Sequence, residues 1–167
     1  GIDGDVQAFV RYNGLMYVGT SFGLYVQNTD QSLKKEFVNV PVVKDQVWSL
    51  KIIDSKLMIA STGGVWVFNG DKLSLNSLDY LLHFKKVSSV NTNQIFKHEP
   101  SNTLIVGGAS GIRLWHSNYT QVWEYSKKLT TVLNIAQDPN NENIVWVGTS
   151  NSGLIRLKFE NEMIVDH

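Results

Sequence analysis

The chain has 167 residues, with 15 Lys plus Arg against 15 Asp plus Glu and no cysteine. Zero net charge argues against a nucleic-acid-binding surface, which usually shows as a basic excess. The lack of cysteine excludes disulfide scaffolds, cysteine–zinc sites and thiol catalysis. No apolar run nears the roughly 20 residues of a membrane-spanning helix, and the opening "GIDG" has no leader pattern.

Taken in chain order, "DVQAFVRY" (residues 5–12) is expected to be a first inner strand. "LMYVGTSFGLYV" (15–26) then breaks an apolar run at a small polar cluster and resumes it. The pattern returns as "LMIASTGGVWV" (57–67), "LIVGGASGIRL" (104–114) and "IVWVGTSNSGLIRL" (144–157). Aligned on Gly23, Gly64, Gly111 and Gly153, the copies are spaced by 41, 47 and 42 residues. Such periods suit four-stranded propeller blades or paired-helix solenoids. Short runs rich in Val, Ile, Tyr, Trp and Thr, without a lasting helical stripe, select strands.

The second repeat shows the expected unit. "VWSLKII" (47–53) is the innermost strand, "LMIAS" (57–61) the second and "VWVFN" (65–69) the third. The outer strand lies within "KLSLNSLDYLLHFKKV" (72–87), and "EMIVD" (162–166) is the last outer strand of the chain. The predicted fold is all-β: propeller-type repeats, four blades of four antiparallel strands, as a small ring or part of a larger propeller. The blades fall at about 5–44, 45–88, 89–129 and 130–167 of a single domain, and no strand is left over for exchange between the first and last.

Each second strand reads as apolar at almost every position, which requires cover on both faces. Trp66 and Trp146 are therefore expected in the core. The strand closes on a small residue each time, at Gly19, Ala60, Gly107 and Gly148, which predicts crowded backbones near the hub. The pairs Lys34-Lys35, Lys85-Lys86 and Lys127-Lys128 suit exposed outer edges, where lysine discourages edge-to-edge pairing.

"LMYVGTSFGLYV" and "IVWVGTSNSGLIRL" resemble the two-component regulator propeller repeat, an aromatic-x-Gly-Thr strand leading through a polar turn to Gly-Leu-aromatic. The second copy departs with Ala60-Ser61. The third departs further, with Gly107-Gly108 and with Arg113 in place of an aromatic. The resemblance implies the extracytoplasmic sensing module of a signalling protein, periplasmic or extracellular, with any kinase outside this chain. Glycan fragments are among the ligands it implies. The motif glycines and threonines are structural, so it transfers no ligand residues.

Chemical motifs are sparse. "GGASG" (107–111) leads into a strand rather than a helix, so it cannot place phosphate at a helix N-terminus. "SLKK" (32–35) matches Ser-x-x-Lys without its partner motifs. His83, His98, His116 and His167 share no ligand spacing. The chain is read as non-catalytic, without metal or cofactor.

The expected ligand face is the set of turns between second and third strands, which fall on one side of any propeller, with the loops that enter the inner strands. Its candidate residues are Ser21, Phe22, Thr62, Ser110, Asn151 and Ser152 from the turns, and Asp45, Gln46 and Asn91 from the loops. Convergent polar groups with one aromatic suit a small molecule or oligosaccharide. The rival readings are a protein-interaction scaffold and, behind it, a propeller glycoside hydrolase or lyase. Self-association or a remaining propeller segment is expected to cover the end blades. No nucleic-acid partner is expected.

Overall fold

The computed structural model describes residues 1–29, 36–70, 81–125, 130–160 and 163–166. Among them sixteen strands form four antiparallel sheets, each of four consecutive strands in meander order. The first sheet holds β1 (Val6–Tyr12), β2 (Leu15–Thr20), β3 (Gly23–Gln27) and β4 (Phe37–Asn39). The second holds β5 (Val47–Ile53), β6 (Lys56–Ser61), β7 (Gly64–Phe68) and β8 (Phe84–Ser88). The third holds β9 (Gln94–His98), β10 (Thr103–Gly108), β11 (Gly111–His116) and β12 (Gln121–Tyr125). The fourth holds β13 (Val132–Gln137), β14 (Ile144–Thr149), β15 (Leu154–Glu160) and β16 (Met163–Asp166). Among the described residues no strand is exchanged between sheets. The fold is all-β with propeller-type blades.

The glycines that reveal the period share one backbone state. Gly23, Gly64, Gly111 and Gly153 have φ of 119°, 127°, 103° and 69°, where a side chain is strained. Just before them, the Thr20 hydroxyl donates to the Gly23 carbonyl at 3.2 Å, Ser61 to Gly64 at 2.9 Å and Thr149 to Gly153 at 2.8 Å. The Gly-Thr of the repeat is thus a turn-closing device.

The chain divides into two compact units, Gly1–Asn91 and Thr92–His167. Each pairs two sheets around its own core. In the first, Tyr12, Leu15, Tyr17 and Leu24 meet Leu50, Leu57, Ile59 and Phe68. In the second, Ile105, Ile112 and Leu114 meet Ile135, Val145, Val147, Ile155, Leu157 and Phe159. The small residue closing the second strand has a more specific use than backbone crowding. A Cβ on Gly19 would lie 2.9 Å from Val47 Cβ, and one on Gly107 would lie 2.7 Å from Val132 Cβ. Each glycine is a socket for the valine that begins the next sheet. A bulge follows that valine in β5 and in β13, and the same bulge follows Val6 in β1.

His98 is a satisfied core histidine. It stacks on Phe159 with ring centroids 4.2 Å apart. Its Nε2 lies 2.6 Å from the Glu142 carbonyl and its Nδ1 2.6 Å from Ser101 Oγ. A carbonyl only accepts, so Nε2 carries the proton and Nδ1 can accept from the serine. His98→Leu removes both bonds and leaves buried Ser101 unpaired. The expected cost is about 2 kcal/mol, read from the urea midpoint.

Several expectations change. Trp146 is half-buried rather than core, because one face of the fourth sheet is open: Ile144 and Trp146 are half-buried, Leu154 and Arg156 exposed. Arg113 replaces an aromatic by pairing across the strands with Glu124 at 2.8 Å. The outer strand of the second sheet occupies only the end of its predicted window, and Lys85 and Lys86 are exposed on it. Residues 72–80, Lys34-Lys35 with the Ser-x-x-Lys stretch, and Lys127-Lys128 lie outside the described residues.

The Trp146 indole N–H donates to Asp138 Oδ2 at 2.7 Å, while Asn140 and Asn141 N–H groups reach its Oδ1. The indole bond first, then these amides, hold the Asp138 carboxyl below its ordinary 3.8 against a small opposing effect of desolvation. A depressed folded-state pKa stabilises above the unfolded value and loses that contribution as pH falls through the folded one. The melting-temperature gap between the wild type and Asp138→Asn is therefore expected to be constant above pH 4 to 5 and to narrow below 3.8.

Candidate recognition face

In the first unit four contacts lay the turns and entry loops side by side. Leu24 N–H donates to the Val43 carbonyl at 3.0 Å, and a Cβ on Gly23 would meet Lys44 Cα at 3.2 Å. The loop 43–46 therefore runs along the turn 20–23. The Asp45 carboxylate lies directly against Gly63, and the Ser88 carbonyl against Gly64, each filling the space of a Cβ. Residues 21–22, 44–46, 62–63 and 88–89 thus form one strip at one edge of this unit.

The predicted residues divide into structural and available groups. Ser21 is committed: its hydroxyl accepts from Asp5 N–H at 3.0 Å, and its N–H donates to the Asp5 carbonyl at 3.0 Å. Gln46 serves through its backbone, accepting from Thr62 N–H at 3.0 Å. The same clamp joins Ser150 N–H to the Thr131 carbonyl at 2.9 Å in the second unit. Phe22 is 65% exposed. Its edge lies over Gly4, whose Cβ would be 2.8 Å from Phe22 Cδ2, so the ring is propped outward. Asp45 is exposed and Thr62 half-buried beside it. Asn91 is half-buried, and its Oδ1 has no hydrogen-bond partner among the described residues. Lys44, exposed and with its backbone against Gly23, belongs to the strip and was not among the candidates. Its place beside Asp45 in an entry loop was the available signal.

In the second unit Ser110 and Asn151 are exposed at their turns. Ser152 is committed: its hydroxyl lies 2.8 Å from that of buried Thr130, and its N–H donates to Thr149 Oγ1 at 3.0 Å. Among the described residues no three His, Cys, Asp or Glu side chains group as metal ligands. No helix among them is long and apolar enough to cross a membrane.

The chain matches no described sequence family and no curated protein. Solved structures do resemble it. It superposes on the extracellular domain of BT4673 of B. thetaiotaomicron, described as a one-component system, with a TM-score of 0.71 and 14% identity over 99% of this chain and 22% of that one. A second structure of that domain, described as a hybrid two-component system, gives 0.64 and 14% over 98% and 23%. The computationally designed Ika4 protein gives 0.60 and 15% over 96% and 94%. This chain spans less than a quarter of the length of the BT4673 domain. At these identities the likeness carries the fold, and the fold it carries is the one built by the four sheets.

Proposed function

We propose that this chain is a non-catalytic recognition module of an extracytoplasmic sensor, and that its ligand, a glycan fragment or similar polar small molecule, lies along the first unit's strip. The observation that carries this reading is Phe22. A ring held 65% open to water on the same strip as Lys44, Asp45 and Thr62 offers a flat apolar face along with charged and hydroxyl groups, the combination a sugar ring needs. The backbone beneath is fixed by the turn-closing threonine and the glycine at positive φ, so the ring is preorganised. The likeness to an extracellular domain of a signalling system supports the sensing role and the compartment.

Calorimetry against a panel of neutral and acidic oligosaccharides tests it. Phe22→Ala is expected to weaken binding about tenfold or more, the loss of roughly 1.4 kcal/mol of stacking, with the melting temperature unchanged. Asn151→Ala, at the equivalent turn of the second unit, reports whether that unit contributes. Capture of a macromolecular partner without saccharide binding would favour the scaffold reading. Turnover of a glycoside by the purified chain would replace it with an enzyme.

A further inference from the structure

The sequence contains two Asn-Gly steps, Asn13-Gly14 and Asn69-Gly70. The fold of the first unit joins them: Asn13 Nδ2 donates to the Gly70 carbonyl at 2.6 Å. Beside this contact the Tyr12 hydroxyl donates to the Ser55 carbonyl at 2.9 Å. The tip of the β1–β2 hairpin is thereby tied to the second sheet.

An asparagine before glycine converts without an enzyme. The following backbone nitrogen gives its proton to hydroxide and attacks the side-chain Cγ. The N–Cγ bond forms, the Cγ–Nδ2 bond breaks, and Nδ2 takes up a proton and leaves as ammonia. Water then opens the five-membered imide at either carbonyl. The products are aspartate and isoaspartate, and in the second the main chain gains a methylene. Glycine favours the attack because it has no Cβ and turns freely.

Both asparagines are exposed, and they differ in how they are held. Asn13 and Gly14 are the two residues of a tight hairpin turn, with φ of 47° and 82°. The Asn13 carboxamide is bonded to Gly70, and the Gly14 carbonyl accepts from Arg11 Nη1 at 3.1 Å. Ring closure there must break these bonds and pull the peptide out of the turn. Asn69 follows the last residue of β7, and its N–H reaches the His83 carbonyl only at 3.4 Å. Its carboxamide has no hydrogen bond among the described residues. Gly70 admits no bulkier, slower-reacting residue. A Cβ there would lie 2.7 Å from Phe68 Cζ, and that ring is held by its stacking on Phe84.

We propose that Asn69 is a site of spontaneous deamidation, and that its conversion to isoaspartate releases Asn13 for the same reaction. The added methylene shifts the main chain at Gly70 and takes its carbonyl away from Asn13 Nδ2. The second carboxamide is then free to meet the Gly14 nitrogen. Damage that begins at an exposed strand end thus reaches, in a fixed order, a contact that joins the first two sheets.

Incubation of the folded chain in mildly alkaline buffer, followed by tryptic mass mapping, tests the order. Peptide 57–72 has Asn69 as its sole asparagine, and peptide 12–34 holds Asn13, which fragmentation locates. Conversion of 57–72 is expected first. Asn13 should react at least about tenfold more slowly, because two hydrogen bonds that hold its turn must break. In urea, where both steps are free, the two should convert at similar rates. Asn69→Ser should keep Asn13 as the amide in the folded chain, with an unchanged melting temperature. Equal or earlier conversion of Asn13 in the folded wild type would overturn the proposal. So would an Asn69 that is stable in the folded chain yet reactive in urea, or undiminished conversion of Asn13 in Asn69→Ser.

Discussion

Phe68→Ala is expected to be the most destabilising single truncation in the first unit, at about 3–5 kcal/mol. The ring is wholly buried on β7 and is the hub of an aromatic cluster. It stacks on Phe84 at 4.3 Å and meets Tyr12 and Tyr17 edge-on or tilted at 5.9 Å each. These contacts join the first sheet to the second, so the truncation loosens the pairing as well as leaving a cavity. Phe84→Ala, from the rim of the same cluster, should cost less. Equilibrium urea unfolding followed by tryptophan fluorescence measures both. A loss below 1 kcal/mol for Phe68→Ala would mean that the two sheets do not share this core.

Gly107→Val is expected to cost about 3 kcal/mol, the upper end for overpacking. Its Cβ would lie 2.5 Å from Val132 Cγ1, 2.7 Å from Cβ and 2.9 Å from Cγ2. No rotamer of Val132 relieves all three contacts, because the Cβ itself is fixed by β13. The sheets must separate or β10 must shift. Gly107→Ala/Val132→Ala should lose less than the sum of its single substitutions, because removing the methyls relieves two of the three clashes. Strict additivity by the same unfolding measurement would show that the glycine does not act as a seat for that valine.

Much of this architecture was legible before any coordinates. The four aligned glycines predicted four turns, and all four have positive φ. The strands of the second repeat lie within one residue of their predicted ends, apart from the outer one. What the sequence could not show is which blade faces lie open. Trp146 reads as core by its neighbours Val145 and Val147, yet its side chain falls on the fourth sheet's uncovered face, and nothing local distinguishes it from Tyr17. His98 looked like an isolated histidine because two of its three partners, Glu142 and Phe159, lie more than 40 residues away. On the candidate face, exposed Phe22 stood out among small turn residues. The commitments of Ser21 and Ser152 did not, since a serine hydroxyl on a turn is equally able to face water or brace a neighbouring strand.

The turn-closing threonine has a consequence for how this surface can change over generations. Hydroxyl and glycine together hold three of the four hairpins, and the clamp to the entry loop uses main-chain atoms, which every residue type supplies. Exposed tip positions between them, such as Phe22 and Ser110, therefore carry little of the scaffold's stability. Mutations there are filtered by what the protein meets rather than by whether it folds. A library randomised at Phe22 and Ser110 should retain expression and solubility in most clones while diversifying binding, whereas one randomised at Thr20, Gly23 and their equivalents should yield mostly unfolded chains.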